Sequence, residues 1–287
     1  MVLDQIPPMY EYLLWNNCNN ACRFCWQKHQ AIEEKFLSNE EKCNSVGALL
    51  DILPTLPYSD ILIVGGEIFE YENHALYQQM YSLFDAFYKG IRDNKIRYLY
   101  VNTNLLYQAL DIPAVLIGLL NSNNLLDRLK FTTSYDPHGR FASKEDEALF
   151  LKNLNILTYS YPNLNIVVNT ILTKQLCESD FDMKAFCDKY RVTINFIPYI
   201  TLHEDMRATK AQVLNVLQKA DSLFPGYIQK YINSFDLPQT KFLYEYIDKK
   251  GYALCSSLLV ECGHSVNFKR VFQNNKCYIC QIKEYLN

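Results

Sequence analysis

The chain has 287 residues, 49% hydrophobic and 21% charged, enough to bury a sizeable core in one large domain with room for a small appendage. Its formal net charge of -3 gives no footprint for bulk nucleic-acid binding, and no apolar run of about 18 residues is present, which argues against a membrane span. The start, Met1-Val2-Leu3-Asp4-Gln5-Ile6-Pro7-Pro8, lacks the basic and apolar regions of a signal peptide, so a cytoplasmic location is expected.

In chain order, β-branched and aromatic runs alternate with helical stretches. Tyr10–Asn16 reads as a first strand that leads into a cysteine-bearing loop, and Asp60–Val64 as a second. His74–Arg92 has helical character. Ile96–Val101 and Leu129–Ser134 read as the third and fourth strands. Ser143-Lys144-Glu145-Asp146 resembles a capping box, with Phe150, Leu151, Leu154 and Leu157 behind it at helical spacing. Leu164–Thr170 and Val192–Ile197 complete six strands, apolar enough to suggest parallel strands covered on both faces. Six βα repeats describe an α/β fold, a partial (β/α)6 parallel barrel over residues 1–205, with its active site expected at the C-terminal ends of the strands. Residues 206–250 read as a helical connection without strands, Thr209–Leu217 and Phe242–Ile247 being its helices, and residues 251–287 as a small cysteine-rich extension.

Ten cysteines in a reducing compartment argue for metal or cluster ligation over disulfides. Seven fall in two groups, Cys18, Cys22 and Cys25 near the start and Cys255, Cys262, Cys277 and Cys280 near the end; Cys43, Cys177 and Cys187 stand alone and read as small apolar packing residues. The first group offers only three thiolates. A 4Fe-4S cluster held this way keeps one iron open to a small ligand, whereas structural sites close their coordination with a fourth protein sulfur.

Cys18-x3-Cys22-x2-Cys25 after the first strand, with Phe24 before the third cysteine, resembles the signature of radical S-adenosylmethionine enzymes. The resemblance implies that the three cysteines hold a 4Fe-4S cluster whose unique iron takes the amino and carboxylate groups of S-adenosylmethionine. Reduction of the cluster then cleaves the cofactor to methionine and a 5′-deoxyadenosyl radical, which abstracts hydrogen from a substrate. Phe24 would lie near the adenine, and a reductant such as flavodoxin or ferredoxin would be a partner. Val64-Gly65-Gly66-Glu67 resembles the family's glycine-glycine-glutamate motif, which binds the cofactor's amino group; it is the only adjacent pair among nine glycines. The physical sense is that glycines admit close backbone approach and a carboxylate accepts from an ammonium. The alternative is an ordinary turn with a solvated Glu67.

Further strand ends carry similar residues. Thr103 and Asn104 resemble the family's threonine-asparagine turn, although Leu105 stands where a glycine often follows. Ser134 and Asp136 resemble a serine-x-aspartate segment of the peptide-modifying branch, whose hydroxyl and carboxylate suit a ribose or a charged group; Asp136-Pro137-His138-Gly139 also reads as a turn. Asn169 and Thr170 are weaker cofactor candidates. Arg140 suits the cofactor, a substrate carboxylate or a structural salt bridge. No residue is assigned as catalytic.

Cys255-x6-Cys262-x14-Cys277-x2-Cys280, with a hairpin-forming segment inside, resembles the auxiliary-cluster region of SPASM and twitch extensions, with Phe272 where a glycine is usual. Four thiolates fit an auxiliary 4Fe-4S cluster and fit zinc equally in chemistry. The resemblance implies a radical enzyme acting on a peptide or other small molecule. A nucleotide-modifying enzyme and a non-catalytic iron–sulfur or zinc protein are the alternatives. The acidic charge argues against a long nucleic acid, and Glu67 beside Gly65-Gly66 against mere cluster storage.

Overall fold

The computed structural model describes residues 7, 9–15, 17–20, 22, 23, 25, 37–69, 74–108, 111–198, 204–234, 241, 242 and 286. Phe24 and the four cysteines of the C-terminal group, with the segment expected to form a hairpin between them, lie outside the described residues.

The strands are β1 (Met9–Leu13), β2 (Ser59–Val64), β3 (Ile96–Asn102), β4 (Leu129–Ser134), β5 (Asn165–Leu172), β6 (Thr193–Pro198) and β7 (Lys241–Phe242). The helices are α1 (Asn39–Ile52), α2 (His74–Arg92), α3 (Asp111–Asn121), α4 (Lys144–Ser160), α5 (Lys174–Glu178), α6 (Met183–Tyr190), α7 (Lys210–Leu223) and α8 (Tyr227–Ser234). The sheet order is β6-β5-β4-β3-β2-β1-β7, and every pairing is parallel. A parallel sheet whose strands follow one another in chain order, with right-handed crossovers, gathers its helices on one face. No helix among the described residues is long and apolar enough to cross a membrane.

The six long strands lie where the apolar runs predict them, β4 to the residue. Three expectations change. Phe242, expected to begin a helix in a strand-free connection, instead forms with Lys241 a short strand that pairs in parallel with Tyr10 and Glu11 at the free edge of β1. Helix α1 goes beyond the elements read from sequence; it is capped by a reciprocal box between Ser38 and Glu41. At α4, Ser143 caps the Asp146 N–H, and Phe150, Leu154 and Leu157 are buried as expected.

The third change concerns the sheet faces. Alternate residues, among them Ile61, Ile63, Leu99, Val101, Phe131 and Val168, are buried in one core with Leu49 of α1, Met80 and Phe84 of α2, Leu116 of α3 and Phe150 of α4. The other face is not apolar. Tyr98, Tyr100, Asn102, Lys130, Thr132, Ser134, Asn169 and Asn195 are half-buried there, since successive residues of a strand point to opposite sides. Among the described residues the strands therefore cover one face with helices and leave the other polar and partly accessible.

Glu11 of β1 belongs to that second face, because its neighbour Tyr12 turns to the helices and donates to the Ser45 carbonyl at 2.9 Å. It is 4% exposed, and its Oε2 has no hydrogen-bond partner among the described residues. Burial pushes its carboxyl from 4.5 up to about 8. The unfolded chain releases this proton above pH 4.5 and the folded chain only near 8. Stability is thus lost as pH rises through that window, at no more than about 1.4 kcal/mol per pH unit. Glu11→Gln should match the wild type near pH 4.5 and exceed it at pH 8. Denaturant midpoints at several pH values check this, and parallel curves for the two proteins would refute it.

Candidate functional site

The loops after β1, β2, β3 and β4 meet at the C-terminal edge of the sheet. Val64 and Trp15 carbonyls accept from the Leu14 and Gly66 N–H groups at 3.0 and 2.8 Å, and Asn17 O accepts from Glu67 N at 2.8 Å. The Trp15 indole donates back to Glu67 O at 2.9 Å. Asn17 then closes the cysteine loop at its far end: its amide donates to Leu37 O at 3.1 Å and accepts from Leu37 N at 3.0 Å. One side chain thus fixes both ends of a loop with no regular structure of its own among the described residues.

Gly65 is required by close approach. A Cβ there would sit 3.0 Å from Trp15 O and 3.0 Å from the Ile68 Cγ2, and the first of these is backbone that cannot swing aside. Glu67 is no solvated turn residue: it is 1% exposed. Its carboxylate accepts from Phe69 N at 2.9 Å, from Thr103 Oγ1 at 2.9 and 3.1 Å, and from Asn104 N at 2.5 Å. The glutamate of the glycine pair therefore pins the β3 turn to the β2 turn.

Asn104 carries that tie onward. Its Nδ2 donates to Asn19 Oδ1 at 2.6 Å and to Cys18 Sγ at 3.5 Å, while Asn19 donates to Leu106 O at 2.9 Å. Leu105, where a glycine would sit easily, has φ +59°. The left-handed backbone is held by its fully buried side chain and by Asn153, which donates to the carbonyls of Leu105 and Tyr107 at 2.9 Å each.

The thiols are half-buried and surrounded by donors. Asn20 N lies 3.4 Å from Cys18 Sγ, and Asn20 Nδ2 lies 3.1 Å from Cys22 Sγ. Cys25 N donates to Cys22 O at 3.2 Å. Burial raises the Cys18 thiol, with Glu67 and Cys22 adding to the rise, while hydrogen bonds from Asn20 and Asn104 oppose it. Among the described residues no three His, Cys, Asp or Glu side chains are gathered into a ready metal site. Cys22 and Ile171 pack against the buried Met206, so the segment after β6 reaches the cysteine loop as well.

Arg140, a candidate from the sequence, joins the site. It is 6% exposed, its Nη1 lies 3.6 Å from Cys22 Sγ, its Nη2 donates to Asn104 O at 3.4 Å, and its Nε has no acceptor among the described residues. Asp136 is within electrostatic reach, but its buried carboxylate accepts from His138 N at 2.7 Å and Thr173 Oγ1 at 3.4 Å, as in a turn. The Phe141 and Phe150 rings lie 5.8 Å away, within reach of cation–π attraction. Burying a charge is costly unless it is hydrogen-bonded, and the described hydrogen bonds of Arg140 go to a carbonyl and a sulfur and not to a carboxylate.

Ser134, Asn169 and Asn195 share one register layer across β4, β5 and β6, and Asn195 donates to Asn169 Oδ1 at 3.1 Å. Thr170 instead is fully buried on the helix face. Asn17, Asn19 and Asn20 had no assigned role in the sequence, although amides flanking cysteines are the residues able both to donate to sulfur and to bridge loops. A pocket of about 270 Å³ at the opposite end of β6, between Cys187, Thr193 and Tyr227, includes none of these residues. No known family model matches the chain, and no curated protein does.

Gly65→Ala should cost about 1–3 kcal/mol through the clash with the Trp15 carbonyl. Glu67→Gln should cost about 2 kcal/mol, because an amide presents a donor to donors. Chemical denaturation measures both, and a change within about 0.5 kcal/mol for Glu67→Gln would mean a solvated side chain.

Proposed function

We propose that the chain is a radical S-adenosylmethionine enzyme on a partial (β/α)6 barrel, acting on a peptide or another small substrate. The observation that supports this most is the convergence of three separately recognised segments, the cysteine loop, Gly65–Glu67 and Thr103–Asn104, on one edge of a parallel sheet. Strand ends are where such folds do chemistry. N–H donors on Cys18 and Cys22, and a buried guanidinium whose described hydrogen bonds go to Cys22 Sγ and the Asn104 carbonyl, fit an anionic cluster held by thiolates.

On this reading Cys18, Cys22 and Cys25 hold a 4Fe-4S cluster that, when bound, supplies the electron for cleaving S-adenosylmethionine. The chain's own work is orientation and exclusion of water. Gly65 and Gly66 let backbone come close to the cofactor, and Glu67 acts through the turn it fixes, its carboxylate being engaged by Thr103 and Asn104. Arg140 places positive charge beside Cys22. Ser134 and Asn169 offer polar groups where the open face meets the loop. For the C-terminal cysteines the proposal is an auxiliary cluster; iron and zinc contents of wild type and a Cys277→Ala, Cys280→Ala variant distinguish it from a zinc site.

Anaerobic reconstitution with iron and sulfide should give a paramagnetic signal on reduction that changes when S-adenosylmethionine is added. Dithionite should then yield 5′-deoxyadenosine, and Cys18→Ala, Cys22→Ala or Cys25→Ala should abolish it. A fully loaded cluster without 5′-deoxyadenosine would overturn the enzymatic reading.

A further inference from the structure

Below the cysteine edge, the polar face of the sheet carries a cation, Lys130, that forms no ion pair with a described acidic side chain; Asp60, already forked by Arg97, acts on it only through space. Between the Ser59–Ile96 and Ile61–Leu99 pairs β3 has one residue more than β2, a bulge that sets Arg97 and Tyr98 together opposite Asp60. Arg97 forks onto Asp60 at 2.8 and 2.6 Å, so its charge is matched. Arg128 donates to Arg97 O at 3.3 Å and lies 3.9 Å from the Asp127 carboxylate. Lys130 differs from both. Its Nζ sits 3.8 Å from the centroid of Tyr98 and 5.0 Å from that of Tyr100, and donates to Tyr100 Oη at 3.2 Å. No carboxylate lies within 4.0 Å of it among the described residues. An ammonium has three donors, so two are left for a ligand.

Lys130 also has a direction to offer. Leu129 and Phe131 on either side are fully buried against the helices, which puts Lys130 on the polar face, and Thr132 and Ser134 continue that face toward the cysteine loop. Four residues of strand span about 13 Å.

We propose that Lys130, framed by Tyr98 and Tyr100, is an anion subsite that holds the carboxylate or phosphate at the far end of an elongated substrate, whose other end lies by Ser134 and Asn169. Only the position of the reacting end rests on the proposed radical chemistry; the anion subsite stands without it. Glu11 shares the register layer of Leu62, Tyr100 and Lys130, where burial pushes its carboxyl up to about 8 and so favours its uncharged form, and Asp60 is held by Arg97.

The test uses the full chain labelled with 13C at lysine Cε, with the Lys130 resonance assigned through Lys130→Arg. Inorganic phosphate and acetate are titrated separately. The Lys130 signal should move saturably with at least one of them while that of exposed Lys152 does not, and the tighter of the two names the anion. Lys130→Met should weaken the anion-dependent rise in melting temperature, the apparent affinity falling about tenfold or more, with Lys130→Arg restoring most of it. Movement no larger than that of Lys152 with both anions would overturn the proposal and leave an ammonium satisfied by two tyrosines. No cluster is needed for this measurement, so its failure and the absence of 5′-deoxyadenosine formation are separate results.

Discussion

The edge of this sheet depends on one buried carboxylate. Glu67 sits where three loops meet and accepts from a backbone N–H of its own turn, a hydroxyl of the β3 turn and a backbone N–H of that same turn. Each donor would otherwise be buried without an acceptor, at a cost of about 1–3 kcal/mol. A carboxylate is the one side chain with enough lone pairs for all of them and no hydrogen to place wrongly. Because Glu67 N and Gly66 N also bind the carbonyls of Asn17 and Trp15, the cysteine loop takes its position from the same residue. The glycine pair and the glutamate are one device: the glycine lets the two chains touch, and the acid holds the third.

How much of this was legible depends on the distance over which each interaction acts. Strand β4 was readable because Leu129, Phe131 and Thr133 alternate with Lys130, Thr132 and Ser134 over six residues. The same residues show why the open face was missed, since threonine, tyrosine and isoleucine all favour strands and a parallel strand is expected to be apolar throughout. Helix α1 was missed because Lys42 is buried along with Val46 and Leu49, a weak apolar stripe. A two-residue strand such as β7 carries no periodicity at all. The site residues were found as short motifs, but their partners were not: Thr103 and Asn104 are 36 and 37 positions from Glu67, and Arg140 is 118 from Cys22. Local sequence says which groups can bond and not which of them meet.

The electrostatics of the cysteine loop follow from that gathering. Burial raises the Cys18 thiol, and the neighbouring Glu67 and Cys22 push it in the same direction. A metal ligand must lose that proton, so binding there releases protons and works against the acid that positions the loop. The opposing groups are already in place: Asn20 and Asn104 donate to Cys18, and Asn20 and Arg140 donate to Cys22. Donors to a charged acceptor are roughly twice as strong as donors to a neutral one, so these contacts tighten once thiolates form. On the proposed reading the donors would cost little reorganisation when a cluster binds. On the proposed reading, Glu67 fixes the loop but disfavours charge on it, and the amides and the guanidinium reverse that bias where the sulfurs lie.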